Sequence, residues 1–456
     1  MTILDTTDTA ARLRDRLGDR IVLAGDLGYD AARTPWNLAI DQRPFAVARP
    51  ESAEDVVEIV RAAAALGLRV APQSTGHGAG ALADGSLDDA VLVSLAGLRG
   101  ATVDPATRTA RVLGGSQWND VLAEAAPHGL TALHGSSGDV GVVGYALSGG
   151  LSFYARAHGL AINSVRAVQI VTADGRLVRA SADENPELFW AVRGGSGAFG
   201  IVVSLEIDLL PYSEVVAGML LWDAAAAPRV AHAWAEWTRF APETVSTSLR
   251  VMHFPPLPEL PPFLSGRSVV VIDGVFLGDD EEAERLAAPL RALAPELDTI
   301  ARIPSGAVVQ MHMDPPEPSP AASAGATLTA FTEDAVDAWI AAATTTPGLT
   351  FAEVRHVGGA ASRRPDDAGA VGALAADYLV AGIAMVPVPE AAAVAQQAVH
   401  GVVAAMAPWH APALALTFID GGAPHGPGFG TSLARLRELK AIYDPSGMFA
   451  AAHPVD

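Results

Sequence analysis

An α+β fold in two parts is predicted by three observations. Before Pro211, helical and strand-like segments alternate around three glycine-rich stretches. Beyond Pro211 the texture changes to strand-like runs separated by proline-rich turns, such as Pro255-Pro-Leu-Pro-Glu-Leu-Pro-Pro262 and Pro315-Pro-Glu-Pro-Ser-Pro320. No internal repeat is present, so neither a solenoid nor a propeller explains the alternation.

Taken in order, Thr9 to Leu17 reads as a short helix with Ala10, Leu13 and Leu17 on one face. Tyr29 to Arg43 reads as an ordered loop, and Pro44 to Pro50 as a strand closed by proline. Ser52 to Leu66 repeats apolar residues at helical spacing, with Ser52 as N-cap, and Leu68 to Ala71 is a strand. Ala90 to Ser94 and Ala110 to Leu113 are strand-like, and Trp118 to Ala126 is helical. Val165 to Thr172 and Arg176 to Ser181 form a hairpin across Ala173-Asp174-Gly175, where Asp-Gly is the turn signal. A helix over Pro186 to Val192 and a strand over Ile201 to Leu209 close the first part. In the second, strands are expected at Val215–Trp222, Thr247–His253, Ser268–Phe276, Leu349–Val357 and Leu379–Met385, and helices at Pro228–Phe240 and Asp280–Ala294. His312, in Val308-Val-Gln-Met-His-Met313, sits in what reads as a half-buried strand.

The 456 residues suffice for two domains, and half of them are apolar. Fifty-one acidic against thirty basic residues give a net charge of −21, which repels a phosphate backbone and argues against nucleic acid as partner. With no cysteine there is no disulfide, thiolate nucleophile or Cys-ligated metal. Met1 to Arg20 carries Asp5, Asp8 and Asp15 and lacks the apolar core of a signal peptide, and no run of about eighteen apolar residues suggests a membrane span. The expected setting is the cytoplasm.

The first glycine-rich stretch, Val70-Ala-Pro-Gln-Ser-Thr-Gly-His-Gly-Ala-Gly-Ala81, follows a helix and a strand; glycines at 76, 78 and 80 let backbone N–H groups close around an anion, with His77 among them. Alone, it reads first as an exposed turn with an incidental histidine, and as an anion cradle second. A second stretch, Gly135-Ser-Ser-Gly-Asp-Val-Gly-Val-Val-Gly-Tyr-Ala-Leu-Ser-Gly-Gly150, and a third, Arg193-Gly-Gly-Ser-Gly-Ala-Phe-Gly-Ile-Val-Val203, follow it. The third matches G-x-G-x-x-G, but a Rossmann fingerprint needs a strand before and a helix after, and here the order is reversed, so that reading is rejected.

These stretches, with Lys440-Ala-Ile-Tyr-Asp-Pro-Ser-Gly-Met-Phe449 near the end, resemble the FAD-binding proteins of the vanillyl-alcohol oxidase superfamily, and within it the berberine-bridge-enzyme-like oxidases. The resemblance implies a lead-in over 1–41, a two-subdomain PCMH-type FAD-binding domain over 42–211, a substrate domain over 212–420 with an antiparallel sheet backed by helices, and a return to the FAD domain over 421–456. It implies FAD linked through His77, with Gln73, Ser74, Thr75, Gly76 and Gly78 around it, and Ser137, Asp139, Val140, Gly141, Gly144, Tyr145, Gly149 and Gly150 along the flavin and pyrophosphate. Gly197, Gly200, Ile201 and Val203 fall on the adenine side, and Gly447 in the closing motif. Ser137 stands where doubly linked relatives carry cysteine, so the link through His77 is the sole one expected; Ala198 and Gly447 stand where asparagine is usual. Val140 matches a position associated with access of dioxygen.

On the substrate side, strand alternation puts Phe351, Glu353 and Arg355 on one face and Ala352, Val354 and His356 on the other. Glu353 and Arg355 read equally as a surface salt bridge or as site residues. The resemblance points this strand at the flavin, with Glu353 a base for a substrate hydroxyl or amine. Tyr378 is a second candidate base, or a tyrosine packing its ring. His134, His425 and His453 lie in loops at no metal-ligand spacing, and no metal is expected. The implied activity is removal of hydride from a C–OH or C–N carbon of a small molecule with dioxygen as acceptor; a dehydrogenase or oxidative cyclase, and a non-catalytic sequestering flavoprotein, are the alternatives.

Overall fold

The computed structural model describes residues 6–83, 85–422 and 424–455. The first five residues of the expected lead-in, with the Met1 and Asp5 of the signal-peptide reading, and the last residue of the closing segment lie outside the described residues. Among the described residues no helix is long and apolar enough to cross a membrane.

The leading part holds two sheets. Ala46–Ala48, Ala90–Ser94 and Arg69–Gln73 run parallel in a four-stranded sheet, with Ile21–Leu23 antiparallel at its edge. The helix Ala53–Leu66 begins where Ser52 accepts from Asp55 N and Asp55 from Ser52 N, each at 3.0–3.1 Å, and ends at Gly67 (φ +68°). A five-stranded antiparallel sheet follows, in the order Ala101–Asp104, Thr109–Leu113, Ile201–Asp208, Val165–Val171, Leu177–Ser181. The Asp174-Gly175 hairpin forms as expected, with Gly175 at φ +69°. Ile201–Asp208 pairs antiparallel with both neighbours and follows the helix Pro186–Gly195, an order opposite to a Rossmann unit.

The second part is one antiparallel sheet of eight strands from Glu214 to Met385. Its central path is Glu214–Asp223, Ser268–Phe276, Val245–His253, Phe351–His356, Tyr378–Met385 and Ala321–Leu328. One face is covered by helices Ala227–Thr238, Glu333–Thr345 and Ala392–Ala405, which bury Trp234 and Trp339 against Val354, Val380 and Tyr378. The other face bears Arg250, Glu353 and Arg355. The chain then returns: Leu433–Tyr443 packs beside Pro186–Gly195, and Val70 N donates to Met448 O (2.8 Å) while Ala450 N donates to Val70 O (2.9 Å).

Several expectations are corrected. The loop 29–43 opens with a helix, Tyr29–Arg33. The strand expected over 308–313 is instead the 3-10 helix Ser305–Gln310 and a turn, which buries His312 completely rather than by half. Strands Ala101–Asp104 and Ala321–Leu328, and the helices Glu333–Thr345, Ala392–Ala405 and Leu433–Tyr443, were not anticipated. Ala321–Leu328 is alanine- and glycine-rich; pairing along Tyr378–Met385, not intrinsic propensity, makes it a strand.

Candidate active site

The three glycine-rich stretches, distant in sequence, meet. A Cβ on Gly141 would stand 2.6 Å from Ser74 Oγ, and one on Gly197 would stand 2.9 Å from Pro72, so the second and third stretches close on the first only because those residues are glycine. Gly76, at φ +84°, lies against Pro35, where a Cβ would meet Pro35 Cβ at 2.6 Å.

His77 stands at this junction. Its ring stacks on Trp36 (centroids 4.2 Å apart), its Nδ1 is 2.7 Å from Thr75 Oγ1, and its Nε2 is 3.6 Å from Asp139 Oδ1. Asp139 also accepts from Trp36 Nε1 (2.5 Å) and Ser137 Oγ (2.6 Å). Burial alone would raise the Asp139 pKa, but these contacts with His77, Ser137 and Trp36 outweigh it and hold the carboxyl below its ordinary range. Ser137, at the position without a cysteine, thus spends its hydroxyl on Asp139.

The residues fit a bound FAD. Gln73 Oε1, Ser74 Oγ, His77 Nε2 and Tyr145 OH are buried without any hydrogen-bond partner in the protein, a concentration of orphaned polar atoms that a polar ligand would satisfy. Burial pushes the Tyr145 phenol well up, offset in part by Arg355. Gly78 and Gly144 have open space where a Cβ would stand, whereas Gly150 (φ +72°) lies flat on the Tyr145 ring, 2.6 Å from a Cβ. Gly149 also has positive φ, +106°.

The residues expected on the adenine side are placed as follows. The side chains of Ile201 and Val203 are buried in the core, and Val203 O already accepts from Gly114 N (2.8 Å). Gly200, at φ +151°, is required because a Cβ would meet Val171 O at 2.5 Å. Its glycine is therefore explained by strand packing. Gly447 sits in an exposed turn at φ +65°, with Lys440 Nζ bridging Ala198 O (2.7 Å) and Asp444 Oδ2 (2.6 Å) nearby.

Across from the cradle, the open face of the eight-stranded sheet carries an ionic cluster. Register places Arg250 opposite Glu353, Ser248 opposite Arg355 and Ser248 opposite Asp273, so their side chains share one face. Arg355 Nε donates to Glu353 Oε1 (2.7 Å); Arg250 Nη2 donates to Asp273 Oδ2 (2.5 Å). His312 lies between the pairs. The Arg355 guanidinium lies 5.9 Å from the Phe153 ring and 5.0 Å from that of Phe418. Ser136 of the second stretch donates to Asp314 at 2.7 Å. The sheet face thus meets the glycine cradle at Tyr145, Phe153 and Ser136.

Tyr378 is a correction. It pairs with His356, on the opposite face from Glu353, stacks on that imidazole (5.4 Å) and shares a hydrogen bond with Thr238 Oγ1 (2.8 Å) among the helix-side aromatics. It cannot reach the cradle through the sheet. His134 is fully buried on Gly135 O (2.6 Å), and His453 pairs with His425 (3.2 Å). Arg250, Asp273 and Asp314 were missed, and His312 was set aside. The signal for the first two was a lone charge inside an otherwise apolar strand, Ser268-Val-Val-Val-Ile-Asp-Gly-Val-Phe276 for the aspartate.

Residues 44–181 match a family described as FAD binding domain. The (R)-6-hydroxynicotine oxidase of Paenarthrobacter nicotinovorans is 37% identical over 204 residues, 44% of each chain. The alignment thus spans less than half the length of that curated relative. Two solved structures share the fold over nearly the whole chain. Physcomitrella patens BBE-like 1 has a TM-score of 0.83 at 23% identity, covering 98% of this chain and 99% of that one. Glucooligosaccharide oxidase from Acremonium strictum, described with a 6-S-cysteinyl, 8α-N1-histidyl FAD, has a TM-score of 0.81 at 20% identity over 98% and 99%. Residues 44–181 are thus similar to an FAD binding domain, and over nearly its whole length the chain takes the fold of Physcomitrella patens BBE-like 1.

Proposed function

We propose that the protein is an FAD-dependent oxidase that carries its flavin on His77 and oxidises a C–OH or C–N carbon of a small organic substrate, with dioxygen as the final acceptor. The observation that carries this is the placement of Glu353 and Arg355 on the one sheet face that meets Tyr145 and Phe153 of the flavin cradle.

Bound FAD supplies a two-electron acceptor for hydride. The chain's own residues do the rest. A hydrogen bond with Thr75 holds the His77 ring at Nδ1 and Trp36 covers its face, so the ring is oriented for attachment while Nε2 keeps no hydrogen-bond partner in the protein. Ser137 leaves the second attachment chemically impossible. Glu353, buried and accepting from Arg355 Nε at 2.7 Å, is the group placed to take the proton from a substrate hydroxyl or amine as hydride departs. Phe153 and Phe418, both beside the Arg355 guanidinium, wall the space from water.

The test begins with acid precipitation of the purified holoprotein. Flavin that stays with the pellet, and leaves it in His77→Ala, is expected. Anaerobic mixing with panels of alcohols, amines and sugars should then bleach the flavin, and readmitted air should restore it with peroxide release. A flavin that no panel member bleaches would sink the oxidase reading, and a protein that retains no flavin would sink the cofactor reading with it.

A further inference from the structure

We propose that His312 is a positioning residue for Glu353: anchored by Asp273 through one ring nitrogen, it turns the other to the Glu353 carboxyl and receives the proton that Glu353 has taken from the substrate. The inference rests on reading Glu353 as the base.

His312 Nδ1 lies 2.8 Å from Asp273 Oδ2, and Nε2 lies 3.3 Å from Glu353 Oε1, with the three side chains 1%, 0% and 2% exposed. The tautomer follows from the neighbours. Asp273 accepts from Arg250 Nη2 and from Ser248 Oγ; burial opposes its ionisation, but Arg250 and His312 outweigh that, so the carboxyl is held far below its ordinary range. An ionised Asp273 only accepts, so Nδ1 carries the hydrogen. Arg355 only donates, and its Nη2 stands 3.3 Å from Nε2, a hydrogen bond that requires a lone pair there. Both arguments put the lone pair on the nitrogen that faces Glu353.

The groups facing the ring are Asp273 and Arg250 from the two neighbouring strands, Glu353 and Arg355 from Phe351–His356, and, beyond Arg355, Asp314. Arg250 with Asp273 and Arg355 with Glu353 make two ion pairs, one on each side of the ring. The Phe153 ring packs against the imidazole at 5.8 Å.

The transfer balances without any redox partner of its own. The substrate O–H or N–H bond breaks as an O–H bond forms on Glu353; that bond breaks as N–H forms on His312 Nε2. Hydride departs separately, and no electrons are exchanged between Glu353 and His312. The resulting imidazolium lies between two carboxylates, which favour its charge. Glu353 is thereby an ionised acceptor again, and the proton on His312, with the departed hydride, makes up the two hydrogens that dioxygen carries away as peroxide, so its release resets the ring.

The experiment uses holoprotein labelled with 15N-histidine, the His312 ring signals being those lost in His312→Gln. We expect the ring to be protonated on Nδ1 at neutral pH, and its titration midpoint to fall by about one pH unit in Glu353→Gln, because one of two flanking carboxylates has lost its charge. An Nε2–H tautomer, or a midpoint indifferent to Glu353→Gln, would overturn the proposal. With a substrate from the panels, His312→Gln should slow flavin reduction at least ten-fold and displace its pH profile, with KM, flavin content and melting temperature near native. An unmoved pH profile would reduce His312 to packing and overturn it. Should His312→Gln fail to fold, Asp273→Glu and Glu353→Asp, which keep the charges but move them, supply the same two readouts. Coupled titration in a protein whose flavin no substrate reduces would defeat the catalytic reading, and the transfer with it, while leaving the ring's coupling to Glu353 measured.

Discussion

Arg250 donates to Asp273 across 2.5 Å with neither side chain more than 1% exposed. A pair so deeply buried is costly to break, because the survivor remains desolvated and unpaired. Asp273→Leu is expected to destabilise the protein by about 3–5 kcal/mol in urea unfolding, whereas Arg250→Met with Asp273→Leu together should cost much less. A double variant as unstable as the single one would contradict this account.

Glu353 and Tyr378 should separate cleanly. Glu353→Gln is expected to slow substrate-driven flavin reduction by about 10²–10⁴-fold without loss of flavin. Tyr378→Phe removes a hydrogen bond to Thr238 on the far side of the sheet, so about 1 kcal/mol of stability should go while the reduction rate stays within about two-fold. Stopped-flow reduction and thermal melting read the two effects apart.

Two glycines of the second stretch should differ in kind. Gly141→Ala places a Cβ 2.6 Å from Ser74 Oγ and should lower both stability and flavin content. Gly144→Ala meets nothing within 4 Å in the protein, so melting of the apoprotein should shift by less than about 0.5 kcal/mol while flavin retention falls. Retention unchanged in Gly144→Ala would remove that residue from the cradle.

Acid should unfold the protein through histidines held neutral. His356 is pushed down to about 3 by burial and by the adjacent Arg156, and His134 to about 4 by burial, against an ordinary 6.5. The unfolded chain then binds more protons than the native one, so their stabilising effect is intact above pH 6.5 and is lost as pH falls toward 4 and 3. Each should contribute a slope of about 1.4 kcal/mol per pH unit inside its window. His356→Gln should flatten the decline of melting temperature between pH 6 and about 4, as measured by calorimetry. A decline as steep as native would argue against it.

Much was legible in the sequence. Local signals are carried by neighbours in the chain: the Ser52–Asp55 cap, the Asp174-Gly175 hairpin and the reversed helix–strand order around Gly200 each follow from a few adjacent residues, and each fixed its element. The motif order was enough to read an FAD-binding domain into the residues before Pro211, where residues 44–181 match one. Strand alternation likewise put Glu353 and Arg355 on one face.

What tertiary structure alone decided is which residues share a face across strands. Tyr378 follows the Gly372–Asp377 run with no local mark of which way it points; only its pairing with His356 turns it to the helices. His312 looked like a strand residue because its neighbours alternate, yet a 3-10 turn drops it between Asp273 and Glu353, residues 39 positions before it and 41 after. A buried charge gains compensation from whatever the fold brings near it, and sequence distance carries no record of that. Chain-local chemistry therefore determined the three glycine-rich stretches and their order, while register and packing assembled the ionic cluster that faces them.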